Sequence, residues 1–234
     1  MLGALADAAA AGPFFSLAVG DDGRQWLPAT AAYCDGLRSM ITATGSQLGV
    51  SEARVAASTL HMALAARLWS PVLCCGLLHG VVPDLAHLRI GPSPPLRLSL
   101  PEPRGWHVRC PDSQDGQDDQ TGQGDIAALA YHVVVDGHLE PLSHGLPVKV
   151  ASGLLRGNAA ATMTGALRVL TCARPETARA ARPLAQALLA TGMLRGTGSL
   201  AGPGLEFLRR SCCLYYRVPG GGMCSDCPLP GHAP

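Results

Sequence analysis

Four cysteines crowd the last quarter of the chain: Cys212, Cys213, Cys224 and Cys227, in the order C-C-x10-C-x2-C. Thiolates are soft metal ligands, so a cluster of this kind points to a metal centre, and the spacing narrows which one. Cys224 and Cys227 are separated by two residues, which lets two thiolates in a tight turn converge on one ion. Cys212 and Cys213 are adjacent, so their side chains diverge in any regular strand or helix and need an irregular backbone to reach a common site. A single zinc ion prefers two C-x2-C knuckles, and the chain offers one. An iron–sulfur cluster presents two irons and accommodates an adjacent pair more easily. Gly220, Gly221 and Gly222 lie between the pairs and are expected to bring backbone N–H groups close to sulfur. Spacing alone favours iron–sulfur over structural zinc, with disulfides or unconnected thiols as the remaining alternative.

Composition weakens the disulfide alternative. The nine cysteines are an odd number, and residues 1–20 contain no Lys or Arg, so the basic start of a secretory signal is missing. A reducing cytoplasm is the expected compartment. Cys34, Cys74, Cys75, Cys110 and Cys172 lie in mostly apolar or helical stretches and are expected to be small core residues. A net charge of +1 and 4% aromatic residues leave no electrostatic footprint and few stacking platforms for nucleic acid. No uninterrupted apolar run reaches the roughly 18 residues of a membrane-spanning helix. The nearest, residues 62–82, is broken by Arg67, Pro71 and His79 and reads as a buried helix pair.

The elements that must position the cysteines are mainly helical. Residues 28–44 fit one helix stopped near Gly45. Ser51 suits the N-cap of a helix running to about Trp69, after which Pro71 opens a shorter one over 72–78. Residues 95–100 alternate as a strand, with 105–109 expected to pair with it across Pro101 to Arg104. Residues 112–125 read as a polar surface loop without the calcium-loop pattern. Residues 126–146 read as helix in preference to a hairpin at Asp136-Gly137, residues 148–170 as helix with an interruption at Gly157-Asn158, and 176–189 as helix. Residues 205–210 read as a short helix leading into Cys212. His132, His138 and His144 recur every six residues and so do not keep one α-helical face, and His61 and His87 read as core or surface residues. Gly196-Thr197-Gly198 with Gly202 misses the dinucleotide-binding spacing and follows a helix, so electrons must come from a separate donor. The expected class is α+β, mainly α-helical: a helical domain over residues 1–204 with a small antiparallel β element, and a C-terminal four-cysteine iron–sulfur segment over 205–234.

The tail Arg209-Arg210-Ser211-Cys212-Cys213-Leu214-Tyr215-Tyr216-Arg217, followed by Cys224-Ser225-Asp226-Cys227-Pro228, resembles the FhuF-like ferric iron reductases, whose C-terminal motif binds a [2Fe–2S] cluster. Residues 65–71 with Val82-Pro83-Asp84-Leu85, and Leu155-Arg156-Gly157-Asn158, resemble two internal landmarks of that family, with Arg156 departing from an expected aromatic. The resemblance implies one-electron reduction of a ferric siderophore in the cytoplasm, with Cys212, Cys213, Cys224 and Cys227 as ligands and no further catalytic residue. It also implies an external donor such as a ferredoxin or a flavin/NAD(P)H reductase, and peripheral association with an importer. Arg209, Arg210 and Arg217 would then tune the cluster or attract an anionic chelate; the plainer alternative is a solvated basic patch at a helix C-terminus. Tyr215 and Tyr216 read as packing residues. The competing function is a non-catalytic siderophore-binding protein or a zinc or iron–sulfur structural module. Replacing any one of the four cysteines with Ser is expected to lower iron and acid-labile sulfide per chain. Stoichiometric zinc without labile sulfide after anaerobic reconstitution would refute the ligand assignment.

Overall fold

A computed structural model describes residues 1–92, 95–108 and 120–229, with side chains left aside over 120–124. Its helices are α1 (Leu2–Ala10), α2 (Ala29–Ala31), α3 (Leu37–Leu48), α4 (Ala53–His79), α5 (Gln120–Tyr131), α6 (Glu140–His144), α7 (Ser152–Ala173) and α8 (Ala178–Leu189). Two π-helical turns, Ala32–Gly36 and His132–Leu139, join α2 to α3 and α5 to α6 without leaving the helical path. The strands are short: β1 (Ala18–Val19), β2 (Leu27–Pro28), β3 (Val81–Pro83), β4 (Arg89–Ile90), β5 (Leu98–Leu100), β6 (Gly105–His107), β7 (Gly198–Ala201) and β8 (Glu206–Arg209). The class is therefore mainly α-helical α+β, as expected.

The centre of the molecule is α4. Its buried residues include Ala56, Leu60, Leu64, Leu68, Trp69, Ser70, Val72, Leu73 and Cys74, which together face every side of the helix. A helix apolar all round is stable in water only when neighbours cover it, and here α1, α3 and α7 pack on it. By length and composition α4 could cross a membrane, but most of its apolar surface is already buried in this fold. The helix pair expected at Trp69 and Pro71 is instead one helix, with Pro71 inside it. Proline removes one backbone donor. In the same turn the Ser70 hydroxyl donates to the Ala66 carbonyl at 2.7 Å. Burial of Trp69 and Val72 on either side favours continuation over a break. The helix ends at Gly80, whose φ of 58° gives the left-handed cap. Its first cap is Glu52 and not Ser51, and α3 runs on through Gly45 to a cap at Gly49.

β5 and β6 lie within the two stretches expected to be strand but pair otherwise. β5 joins a four-stranded sheet of order β1-β5-β4-β2, parallel to β1 and antiparallel to β4, whereas β6 pairs antiparallel with β3. The expected 95–100/105–109 hairpin is thus replaced. Pro101 and Pro103 remove two backbone donors from the connection. All three β5 residues are buried, which draws that strand into the core, while β6 is exposed along its length. Arg109, Cys110 and most of the loop read over 112–125 lie outside the described residues; residues 120–125 begin α5. Residues 126–144 are helical without a break, so the hairpin alternative fails there. α7 runs through Gly157-Asn158 without interruption. β7 and β8 form an antiparallel hairpin, so the short helix expected over 205–210 is replaced by strand at Glu206–Arg209. Burial alternates along it, with Phe207 and Arg209 inside and Glu206 and Leu208 outside. The division expected at 204/205 falls in the turn of this hairpin.

His138, on the second π-helical turn, is buried between the Tyr33 hydroxyl at 3.1 Å from Nδ1 and the Leu85 carbonyl at 3.0 Å from Nε2. Burial drives its pKa down to about 4, against the opposing pull of the Leu85 carbonyl. In the unfolded chain it takes up a proton as pH falls through about 6.5. Between those values the unfolded state holds the extra proton, so stability is full above about 6.5 and is lost as pH falls toward 4. The contribution is on the order of 3 kcal/mol. Urea midpoints measured from pH 7 to 4.5 are expected to fall less steeply in His138→Gln than in the wild type, and parallel curves would contradict this.

Candidate metal centre

β8 carries the chain into the cysteine segment and fixes where it starts, because Arg209 points inward and Cys212 follows three residues later. Cys212 and Cys213 are succeeded by Leu214 with φ 69° and ψ 2°, a left-handed conformation uncommon outside glycine. This is the irregular backbone an adjacent pair requires. It lets the Leu214 N–H donate to Cys212 Sγ at 3.4 Å and the Tyr215 N–H to Cys213 Sγ at 3.5 Å. Among the described bonds, the donors to sulfur are these two and not Gly220, Gly221 or Gly222; those glycines shape the turn that brings the chain back. A tight turn then closes the second pair, with the Cys227 N–H donating to the Cys224 carbonyl at 3.1 Å.

The two halves meet where Cys213 Sγ lies 3.5 Å from Cys224 Sγ. Two thiolates on one tetrahedral metal with bonds of about 2.3 Å stand about 3.8 Å apart, so the pair is close to ligand spacing. The hydrogen bond with Cys224 drives the Cys213 thiol down, with help from the Tyr215 N–H and Arg209 against burial. The same bond and burial drive Cys224 up. Metal binding would require both sulfurs as thiolates. Among the described residues, no three of His, Cys, Asp and Glu converge as a single metal ion would require. A two-iron cluster asks for two ligand pairs instead. Cys213 and Cys224 make one such pair, and Cys212 and Cys227 would have to supply the other.

Beneath the cysteines is a buried polar network. The Arg209 side chain is 1% exposed. Its Nη2 donates to Asn158 Oδ1 at 2.6 Å, its Nη1 stands 3.7 Å from Asp226 Oδ2, and its Nε has no hydrogen-bond partner among the described residues. Asn158 Nδ2 donates in turn to Ser58 Oγ at 3.0 Å, and Ser58 Oγ donates to the Cys213 carbonyl at 2.6 Å. The tail is thus tied to α4 through Ser58 and to α7 through Asn158. Burial, and then the charge of Arg209, hold nearby His61 neutral with a pKa of about 4.

The three arginines separate. Arg209 is interior and so is a candidate to stabilise an anionic centre but not a docking residue. Arg217 pairs with Glu52 at 2.6 Å, and Arg210 is exposed. They leave no concentrated basic patch, and they flank a strand and a turn in place of the expected helix C-terminus. Tyr215 is half-buried and Tyr216 exposed, the latter 6.0 Å beneath the Arg217 guanidinium. Cys74 and Cys75 are buried as expected; Cys34 and Cys172 are exposed, against expectation, because each falls on an outward-facing helix position. His132, His138 and His144 border one cavity of about 490 Å³ on another part of the surface. The π-helical turn between the first two makes α-helical spacing a poor guide to their facing.

Ser58, Glu52 and Arg168, whose Nη2 donates to Ser225 Oγ at 3.4 Å, escaped the sequence reading, since each is by type an ordinary residue of a helix or its cap. Gly157-Asn158 carried a signal: neither residue favours a helix interior, so their presence there marks close packing. A Cβ on Gly157 would press on Ser211 Oγ and stand 3.1 Å from Arg209 Nη2.

Residues 209–229 match the family model of the FhuF 2Fe-2S C-terminal domain, a span that includes Arg209 and all four cysteines. No curated protein and no solved structure matches the chain. Asn158→Ala is expected to cost about 1.5–3 kcal/mol by leaving the buried guanidinium short of an acceptor. Gly157→Ala is expected to displace the tail and lower the iron bound per chain. Unchanged urea midpoints and unchanged iron content in both variants would show that the network does not hold the centre.

Proposed function

From a C-terminal segment of the FhuF type, whose cofactor is a [2Fe–2S] cluster, we propose that this protein reduces iron(III) held in a siderophore and releases it as iron(II). Cys212, Cys213, Cys224 and Cys227 are the proposed ligands. The observation that carries the reading is their placement: Cys213 and Cys227 are buried, while Cys212 and Cys224 are partly exposed. One edge of the centre is therefore within reach of a molecule arriving from solvent, and the other is anchored in protein.

When bound, the cluster supplies one-electron transfer. Hydroxamate and catecholate oxygens are hard anionic ligands that hold iron(III) far more tightly than iron(II), so one electron makes a locked chelate labile. The chain's own groups prepare the site for negative charge. The N–H groups of Leu214 and Tyr215 donate to thiolate sulfur, and such bonds raise a cluster's potential. Arg209 adds a fixed positive charge in an interior of low dielectric, and Asn158 holds its guanidinium in one orientation. With no dinucleotide-binding spacing in the sequence, a ferredoxin or a flavin/NAD(P)H reductase is the proposed donor, acting in the cytoplasm beside an importer.

Stopped-flow mixing of the dithionite-reduced, desalted protein with ferric hydroxamate, catecholate and citrate chelates, with a ferrous trap present, tests the proposal. Reoxidation matched by trapped iron(II) is the expected result. A protein that stays reduced for minutes with every chelate would overturn it in favour of a structural or sensing role.

A further inference from the structure

A cavity of about 780 Å³ opens beside the Cys224–Cys227 turn, and Ser225 and Asp226, the two residues inside that turn, form part of its wall. Small residues of α7, among them Ala161, Gly165 and Ala166, line one side, and β8 and the segment after α1 line the others. Three large apolar side chains on its border stand half exposed: Phe14 at 48%, Val169 at 50% and Leu208 at 48%. Grouped exposure of this kind marks a binding surface more than scattered apolar residues do, and the volume falls within the range of about 300–1,000 Å³ typical of small-molecule sites. The charged residues at the cavity are Arg168, Glu206 and Asp226. Asp226 faces Arg209 at 3.7 Å, and Arg67 stands behind the wall, 5.3 Å over the Phe14 ring and donating to the Pro13 carbonyl, so the two acids are matched by basic residues and no cluster of one sign forms.

We propose that this groove binds the ferric chelate and selects one with an apolar organic frame and no net charge. The identity of the occupant rests on the reductase reading above; the place and the selectivity rest on the groove. A chelate seated here would touch the turn that carries two of the four thiols, the short separation that electron transfer needs. Apolar walls reward an apolar ligand frame. A multiply anionic chelate would give up its hydration among those walls with Glu206 and Asp226 nearby, which disfavours it. This selectivity replaces the expectation that Arg209, Arg210 and Arg217 draw in an anionic complex.

Gly165 offers the test, because a Cβ added there meets nothing within 4 Å. Gly165→Leu would fill the groove from a helix interior, where glycine itself is unfavourable. Leu208→Ser on the border serves as the second variant should Gly165→Leu fail to fold, as judged by circular dichroism and iron content. Gallium(III) chelates keep the shape of the ferric ones but accept no electron, so calorimetric titration of the oxidised, metal-loaded protein reads binding apart from reduction. The neutral gallium complex of desferrioxamine E is expected to bind the wild type and to bind Gly165→Leu at least tenfold more weakly. The trianionic gallium complex of a tris-catecholate is expected to bind the wild type at least tenfold more weakly than the neutral one. Equal binding of the neutral chelate by wild type and variant overturns the site while leaving the reductase reading intact, and so does reduction of the groove-filled variant by a ferredoxin slowed while chelate binding is unchanged, which would make this a donor-docking face. Tighter binding of the trianion overturns the selectivity. Binding lost in Gly165→Leu supports the site even if the reduced protein never reduces a chelate, an outcome that would sink the reductase reading alone.

Discussion

The guanidinium of Arg209 is a full positive charge with a side chain 1% exposed to water, and much of the molecule is arranged around it. A buried charge is strongly unfavourable unless its surroundings compensate it. Asn158 compensates part, Asp226 stands slightly beyond hydrogen-bond distance, and Nε is left without a partner among the described residues. The protein alone does not fully answer this cation. An anionic metal–thiolate centre next to it would, which makes Arg209 the residue through which the helical body and the cysteine segment require one another.

That requirement explains several local choices. Asn158 must sit inside α7 to meet Arg209, and Gly157 must precede it because a larger residue would occupy the space of Ser211 and Arg209. Ser58 must face the tail from α4, since its hydroxyl both accepts from Asn158 and donates to the Cys213 carbonyl. β8 must be a strand, because only alternation buries Phe207 and Arg209 while leaving Glu206 and Leu208 outside. His61, buried on the same side of α4, stays neutral beside the cation.

The sequence was informative where the signal was local. The C-x2-C turn, the irregular backbone that the adjacent Cys212 and Cys213 require, the helices read over 148–170 and 176–189, and the class of the fold could all be read from neighbouring residues. What escaped depended on contacts distant along the chain. Pro71 reads as a helix start by itself, but inside the core the apolar residues on both sides outweigh one missing backbone bond. Residues 205–210 are helix formers by type except Phe207, and pairing with 198–201 overrides that preference. Strand 98–100 has its neighbours at 18–19 and 89–90, pairings that no window of adjacent residues contains. Arg209 was visible as a basic residue beside a cysteine motif, but nothing in its type told whether it faced water or the interior.

The attachment of the tail has a consequence for the life of the chain. Its anchors, Glu52 and Ser58 near the start of α4 and Asn158 in α7, lie on the two helices that make the most extensive contact in the fold. A metal centre that binds only the folded arrangement shifts the folding balance by mass action. Holding iron and holding the core helices together are then one equilibrium viewed from two sides. A chain short of iron would then loosen at its C-terminus first, and segments that open in this way are the ones proteases cut.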